Sequence, residues 1–306
     1  MKSSRLHSKC VLVTGASTGI GRAISEYLAQ RGLKIYACAR KRKDIDSLDS
    51  VENIVGLKLD VTKSEDLRSI VEYLTSNDIK LYAVINNAGI VTGGPLVLLD
   101  EQEIRACFDV NCMGVVNVSR ELFPFLEEKG RFINISSIGA KYVTPFLAPY
   151  HMAKVAMEAF SESLRIELSP FSHPVVLIRP GAIKTEADNK NERFIKNIRG
   201  TVYDEAFEEY WERILQQHKK ALPPERVAEI VFKALKAKKP KKTYLIPHRR
   251  FLIRFWLLLG NIGFTEKYYS NFLRKRISSD QKTKLYWGIS LNMSVQLALG
   301  RKKPEV

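Results

Sequence analysis

The chain has 306 residues, 45% apolar and 27% charged, the mix of a globular protein with a buried core; disordered, collagenous and coiled-coil chains are excluded. The formal charge is +16 and unevenly held: residues 1–232 carry 31 basic and 30 acidic side chains, residues 233–306 carry 18 and 3. A near-neutral body therefore precedes a basic tail.

Short β-branched runs alternate with helical patterns through the first two thirds. Cys10–Val13 reads as a strand entering a glycine-rich turn, and Gly21–Arg31 as a helix with Ala23, Ile24, Tyr27 and Leu28 at helical spacing. Strand Lys34–Ala39, a basic loop and strand Ile54–Leu59 follow, the last ending at Asp60. The pattern next predicts a helix over Ser64–Thr75 capped by Ser64, a strand over Tyr82–Asn86 and a long helical stretch over Glu101–Leu126. A strand over Arg131–Ile135, a helix from Tyr150 to Leu168 and a strand over Val175–Arg179 complete the series. Such repetition builds βαβ units, so the expected fold is α/β: a doubly wound parallel sheet of the Rossmann type with a helical basic C-terminal extension.

Past Gly181 the character changes. Thr185–Leu222 is polar, charged and helix-prone, Pro223-Pro224-Glu225 opens a helix through Leu235, and Thr243–Ile246 adds a last strand. The expected division is a dinucleotide-binding and catalytic body over 1–247, with a substrate lid over about 186–222, and an amphipathic extension over 248–306. Cys10, Cys38, Cys107 and Cys112 show no C-x-x-C spacing and read as reduced core residues in a cytoplasmic setting. The histidines show no ligand spacing, so no metal is expected. Cys10–Val13 is too short for the apolar region of a signal peptide. The apolar run Phe251–Phe264 would span roughly 21 Å as a helix, short of the ~30 Å hydrocarbon core.

Thr14-Gly15-Ala16-Ser17-Thr18-Gly19-Ile20-Gly21 follows a strand and opens a helix. Its glycines permit a tight turn and bring backbone N–H groups close to a pyrophosphate at the helix N-terminus. The order of further motifs is specific: Asn86-Asn87-Ala88-Gly89, then Asn111, then Ser137, then Tyr150-x-x-x-Lys154, then Pro180-Gly181-Ala182-Ile183-Lys184-Thr185. Together with the turn, these resemble the short-chain dehydrogenase/reductase family in its compact single-domain branch, over roughly residues 8–247.

Residues at i and i+4 share a helix face, so the Lys154 ammonium can sit beneath the Tyr150 phenol. A neighbouring cation favours the phenolate and is expected to pull its pKa down from about 10. Tyr150 is then the proton donor in reduction and acceptor in oxidation, and Ser137 would hold the substrate oxygen. The resemblance implies that Lys154 also binds the ribose hydroxyls and that Asn111 anchors a water linking Lys154 to solvent. It further implies dinucleotide contacts from Thr14, Gly15, Ser17, Thr18, Gly19, Ile20 and Gly21, from Asp60 and Val61, and from Asn87, Ala88 and Gly89. Pro180, Gly181, Ile183 and Thr185 would meet the nicotinamide end. His151 reads as packing or surface.

Strand Lys34–Ala39 ends without the acidic residue that commonly binds a ribose 2′-OH; Arg40, Lys41, Arg42 and Lys43 follow instead. Arg40 can stack on adenine and pair with a 2′-phosphate, which favours NADP over NAD, although Asp44 and Asp46 stand nearby and a solvated basic loop is the plain alternative. The apolar points of the lid, with Val143, Phe146 and Leu147, suit a lipophilic alcohol or carbonyl of steroid, retinoid, acyl or long-chain type. The segment Glu158–Leu168 resembles hydroxysteroid and retinol dehydrogenase relatives, and the family resemblance implies a homo-oligomer. In the tail, basic residues beside Trp256, Tyr268, Tyr269, Phe272 and Leu273 suit an interfacial helix on an anionic membrane, with a helix pair packed on the body or a partner subunit as the other reading. Nucleic acid is not expected as a partner, since phosphate binding requires less apolar surface. The rival to an enzyme is an NADP(H)-binding scaffold docked through this tail.

Overall fold

The computed structural model describes residues 6–185, 198, 200–246 and 264–277. Seven strands form one parallel sheet: β1 (Cys10–Val13), β2 (Lys34–Ala39), β3 (Ile54–Lys58), β4 (Leu81–Asn86), β5 (Leu126–Ile135), β6 (Val175–Pro180) and β7 (Thr243–Ile246). Their spatial order is β3-β2-β1-β4-β5-β6-β7. Alternate side chains leave opposite faces, so Val11, Val13, Ile35, Ala37, Ile85 and Ile133 enter one core while Leu12, Tyr36, Cys38, Val84 and Phe132 enter the other. The first face is covered by Ile24 and Leu28 of α1 (Gly19–Ala29) and by residues of the helix Glu225–Lys236 described below. The second is covered by α3 (Ser64–Ser76) through Leu67, Ile70 and Leu74.

The expected order of strands holds, with differences that have physical causes. The basic loop after β2 contains a helix, α2 (Arg42–Asp49), whose charged residues hide a two-point apolar stripe: Ile45 and Leu48 are buried. The single stretch expected over Glu101–Leu126 is divided into α4 (Glu101–Phe108), a π-helical turn over Asp109–Met113 and α5 (Gly114–Leu122). Pro124 then ends the run in a short 3₁₀ turn. β5 begins five residues earlier than expected, and Lys129 at φ 63° beside Gly130 marks the irregularity in its pairing with β4. α3 starts at Ser64, with Lys63 in the capping position and no side-chain cap.

α6 (Ala148–Glu167) carries Tyr150 and Lys154. Within the expected lid lies α7 (Asp204–His218); residues 186–197 and 199 are outside the described residues. α8 (Glu225–Lys236) and β7 follow, and α9 (Phe264–Arg274) then returns to the body. Phe272 of α9 is buried with Phe146, Ile198, Phe207 and Tyr210, and Tyr269 and Leu273 pack on the same cluster. This corrects the membrane-facing assignment of these three tail residues: their apolar face is spent on α7. Tyr268 stays exposed at 40%. Residues 251–263, including Trp256, lie outside the described residues. Among the described residues no helix is long and apolar enough to cross a membrane.

Candidate active site

The site lies at the carboxyl ends of the strands, where the connections from the central strands β1 and β4 diverge. The glycine turn leaves β1 with Gly15 at φ 64° and Gly19 at φ 55°. A Cβ on Gly15 would stand 2.7 Å from Ala88 Cα, and one on Gly21 would stand 2.2 Å from Gly15 O, so only glycines let the turn close this tightly. The end of β4 clamps it. Asn87 N and Ala88 N each donate to Thr14 Oγ1 at 3.0 Å, and Asn87 Nδ2 donates to Thr14 O at 3.0 Å and Gly15 O at 2.9 Å. No side chain caps the N-terminus of α1 and its first turn holds no acid, so its N–H groups are left for an anion.

A cavity of about 630 Å³ opens along this edge. Gly15, Ser17, Thr18, Gly19 and Ile20 line its floor; Thr14 and Gly21 lie behind them and brace the turn. Arg40, Asp60 and Val61 line one end, and Asn87, Ala88 and Gly89 the middle. Pro180, Gly181, Ile183 and Thr185 form the opposite wall, tied to the chain after α7 by the bridge between Ile183 and Leu222. Arg40 Nη1 is 3.8 Å from Asp60 Oδ2, while Asp60 Oδ1 accepts from Thr62 N and Oγ1. Lys41 and Lys43 also face the cavity, as do Ser136 and His218. The first two belong to the basic loop singled out in the sequence. His218 comes from a distant helix end and has no sequence signal.

Asn111, Ser137, Tyr150 and Lys154 all line the same cavity. Asn111 sits in the π-helical turn, fully buried; its Nδ2 donates to Ile90 O and Cys107 O, both at 2.8 Å. Its Oδ1 is buried and has no hydrogen-bond partner among the described residues. A Cβ on Gly89 would stand 2.7 Å from that oxygen and 3.8 Å from Lys154 Nζ, so the absent side chain of Gly89 leaves room where the two groups approach each other. Lys154 is buried, and its Nζ donates to Ile135 O at 2.9 Å. Burial pushes its pKa down to about 8.

The phenol departs from the sequence expectation. Burial pushes the Tyr150 pKa up, opposed by a hydrogen bond from Ser137. The Lys154 ammonium is 5.8 Å from the Tyr150 ring centroid and is engaged by Ile135 O, so desolvation outweighs the cation. Ser137 Oγ accepts from Gly139 N at 3.0 Å. His151 is buried, which decides between packing and surface in favour of packing, and burial pushes its pKa down. Of the residues expected at the mouth, Val143 is exposed, whereas Phe146 is buried under α7.

The donor set fits a dinucleotide: uncapped N–H groups at a helix start, a cradle that any Cβ would fill, and cations at the far end. The sequence profile of the short chain dehydrogenase family matches residues 9–195. A 3-ketodihydrosphingosine reductase of Bacteroides thetaiotaomicron is 31% identical over 240 residues, covering 77% of this chain and 86% of that protein. Human retinol dehydrogenase 16 is 34% identical over 232 residues, covering 74% of this chain and 70% of that protein. Among solved structures, actinorhodin polyketide ketoreductase with NADPH superposes with a TM-score of 0.66 at 25% identity, over 78% of this chain and 95% of that one.

Proposed function

Because the chain belongs to the short chain dehydrogenase family, and is thereby an NAD(P)-dependent oxidoreductase of alcohols and carbonyls, we propose that it uses NADP on a lipophilic substrate with Tyr150 as proton donor and acceptor. One observation carries this reading: Ser137, Tyr150, Lys154 and Asn111 converge on the cavity whose floor is the glycine turn. The dinucleotide, when bound, supplies or accepts the hydride. Ser137 holds the substrate oxygen by a hydrogen bond and Tyr150 passes it a proton. The raised pKa keeps Tyr150 protonated at neutral pH, the form that reduction needs. Lys154 binds ribose hydroxyls, and the unpartnered Asn111 Oδ1 accepts from a water that returns protons to Lys154.

Arg40, Lys41 and Lys43 at the cavity end, with no acid closing β2, support NADP over NAD. 3-Ketodihydrosphingosine and retinol, named in two relatives, are both lipophilic and support that substrate class. A pure cofactor-binding scaffold would leave the Ser137–Tyr150–Lys154 arrangement without use. The test is NADPH oxidation with a panel of hydrophobic ketones. Tyr150→Phe should lower turnover at least about 100-fold with NADPH affinity nearly unchanged; more than about a tenth of wild-type turnover would refute the assignment.

The charge excess beyond residue 232 supports a second element of the reading, peripheral attachment to an anionic membrane through 248–306. Full-length protein should pellet with anionic vesicles and be partly released by salt, because screening weakens the charge contribution and leaves the apolar one. Failure to pellet would favour a tail wholly packed on the protein or on a second copy in a homo-oligomer.

A further inference from the structure

A chain of hydrogen bonds runs from α7, whose last residue His218 lines the cavity, to the serine proposed to hold the substrate oxygen. Tyr210 of α7 donates its O–H to Thr144 Oγ1 at 2.9 Å. Thr144 Oγ1 and Thr144 N are each 3.1 Å from His151 Nε2. His151 Nδ1 is 2.8 Å from Gly139 O, and Gly139 N donates to Ser137 Oγ at 3.0 Å.

The two ends fix every proton in this chain. Gly139 O can only accept, so His151 Nδ1 carries the hydrogen. Thr144 N can only donate, so His151 Nε2 is the lone-pair nitrogen. The Thr144 hydroxyl accepts from Tyr210 and shares the Nε2 lone pair with Thr144 N as a second donor. These dipoles point the same way, from α7 toward Gly139 O, and bonds so aligned polarise one another. Gly139 is wedged between the two side chains: a Cβ there would stand 3.0 Å from His151 Nδ1 and 3.3 Å from Ser137 Oγ. Gly139 O and Gly139 N belong to the two peptide groups that meet at Gly139 Cα, and the imidazole holds one while the serine holds the other. Tyr210 itself is seated by ring contacts, at 5.5 Å from Phe146 and 6.4 Å from Tyr269 of α9.

We infer that His151 is a positioning residue that couples the seating of α7 on α9 and Phe146 to the orientation of Ser137 through the two peptide groups of Gly139. The inference rests on the proposed roles of Ser137 and Tyr150. Substrate is then aligned best when α7 is seated on the aromatic cluster, and a substrate that displaces α7 loosens Ser137.

Two measurements decide it. In ¹⁵N-histidine NMR of the full chain at neutral pH, His151 should show the Nδ1–H tautomer, the less common one for free imidazole in water, and Tyr210→Phe should shift its Nε2 resonance. In kinetics, His151→Leu should lower kcat about tenfold with NADPH affinity unchanged, since misplacing a positioning group acts on the reacting geometry. His151→Asn, whose amide can still donate to Gly139 O, should return kcat to within threefold of wild type, a rescue that filling space alone would not give. An Nε2–H or doubly protonated His151, or a folded His151→Leu enzyme within threefold of wild-type kcat, would overturn the inference. Should His151→Leu not fold, Tyr210→Phe replaces it, with a kcat loss of at least threefold expected and a smaller one overturning the inference. If the wild type reduces no carbonyl, the oxidoreductase mechanism fails and the tautomer alone decides for or against the hydrogen-bond chain.

Discussion

Replacing Lys154 by methionine should make the protein more stable and inactive. Burial lowers the lysine pKa from 10.5 to about 8, so at pH 7 the fold holds a cation that it disfavours by about 3 kcal/mol relative to the unfolded chain. Methionine fills similar space without charge. It leaves Ile135 O without its 2.9 Å partner, a loss of about 1 kcal/mol, so the net gain is about 2 kcal/mol, or about 5 °C in Tm. Glu158, on the same helix, keeps the Arg179 guanidinium at 2.6 and 2.7 Å, so removing Lys154 strands no carboxylate. The sign with pH follows from the direction of the shift. Between pH 8 and 10.5 the unfolded chain holds the proton that the native lysine has released, so wild-type stability rises through that window. The advantage of Lys154→Met should therefore be full at pH 7 and largely gone by pH 10.5. Denaturant unfolding of both proteins at the two pH values, with turnover measured alongside, is the assay. A variant less stable than wild type at pH 7, or a gap of equal size at both pH values, would refute the reasoning.

Three further outcomes are expected. Arg40→Asp should weaken NADPH binding about 10- to 100-fold and leave NADH binding within threefold, measured by cofactor fluorescence; equal losses would show that Arg40 does not read the phosphate. Gly21→Ala places a methyl group 2.2 Å from Gly15 O, so calorimetry should find no dinucleotide binding at concentrations that saturate wild type. Phe272→Ala empties a buried ring site in the cluster with Phe146, Phe207 and Tyr210 and should cost about 3 kcal/mol in denaturant unfolding, with a raised KM for the carbonyl; an unchanged midpoint would mean that α9 does not hold α7.

The sheet and the site were legible in the sequence to the extent that their causes are local. Gly15, Gly19 and Gly21 announce a turn that no side chain permits, and Tyr150 and Lys154 share a helix face by period alone. What was not legible depends on distant neighbours. Whether the Tyr150 phenol moves up or down is decided by how much of it is buried and by Ile135 O, which competes for the lysine. α2 hides in a charged run because two apolar residues, Ile45 and Leu48, suffice to hold it against the sheet. The π-turn at Asn111 has no periodic signature, and it interrupts a helix that reads as continuous. His151 looks idle beside Tyr150 until Thr144 and Gly139 are brought to its two nitrogens. The apolar stripe of α9 reads equally well as a lipid-facing surface, and only the facing residues of α7 decide its partner.

The helix that backs the cofactor turn has a consequence for biosynthesis. The apolar face of α1 is closed by α8, with Tyr27 and Phe232 meeting edge to face at 6.0 Å and Val227, Val231 and Leu235 in the same core. Arg131 of β5 and Tyr82 of β4 bind the carbonyls that end α8, at Ala234, Leu235 and Ala237. About 200 residues separate α1 from this cover, which a ribosome needs on the order of 10–40 s to add. For that interval the nascent chain carries an uncovered glycine-turn helix and a parallel sheet still unfinished on its β7 side, so its first-made half is the part most exposed to aggregation and to chaperone capture. A chain that stops short of residue 225 would contain every residue of the phosphate cradle and still have no wall behind it.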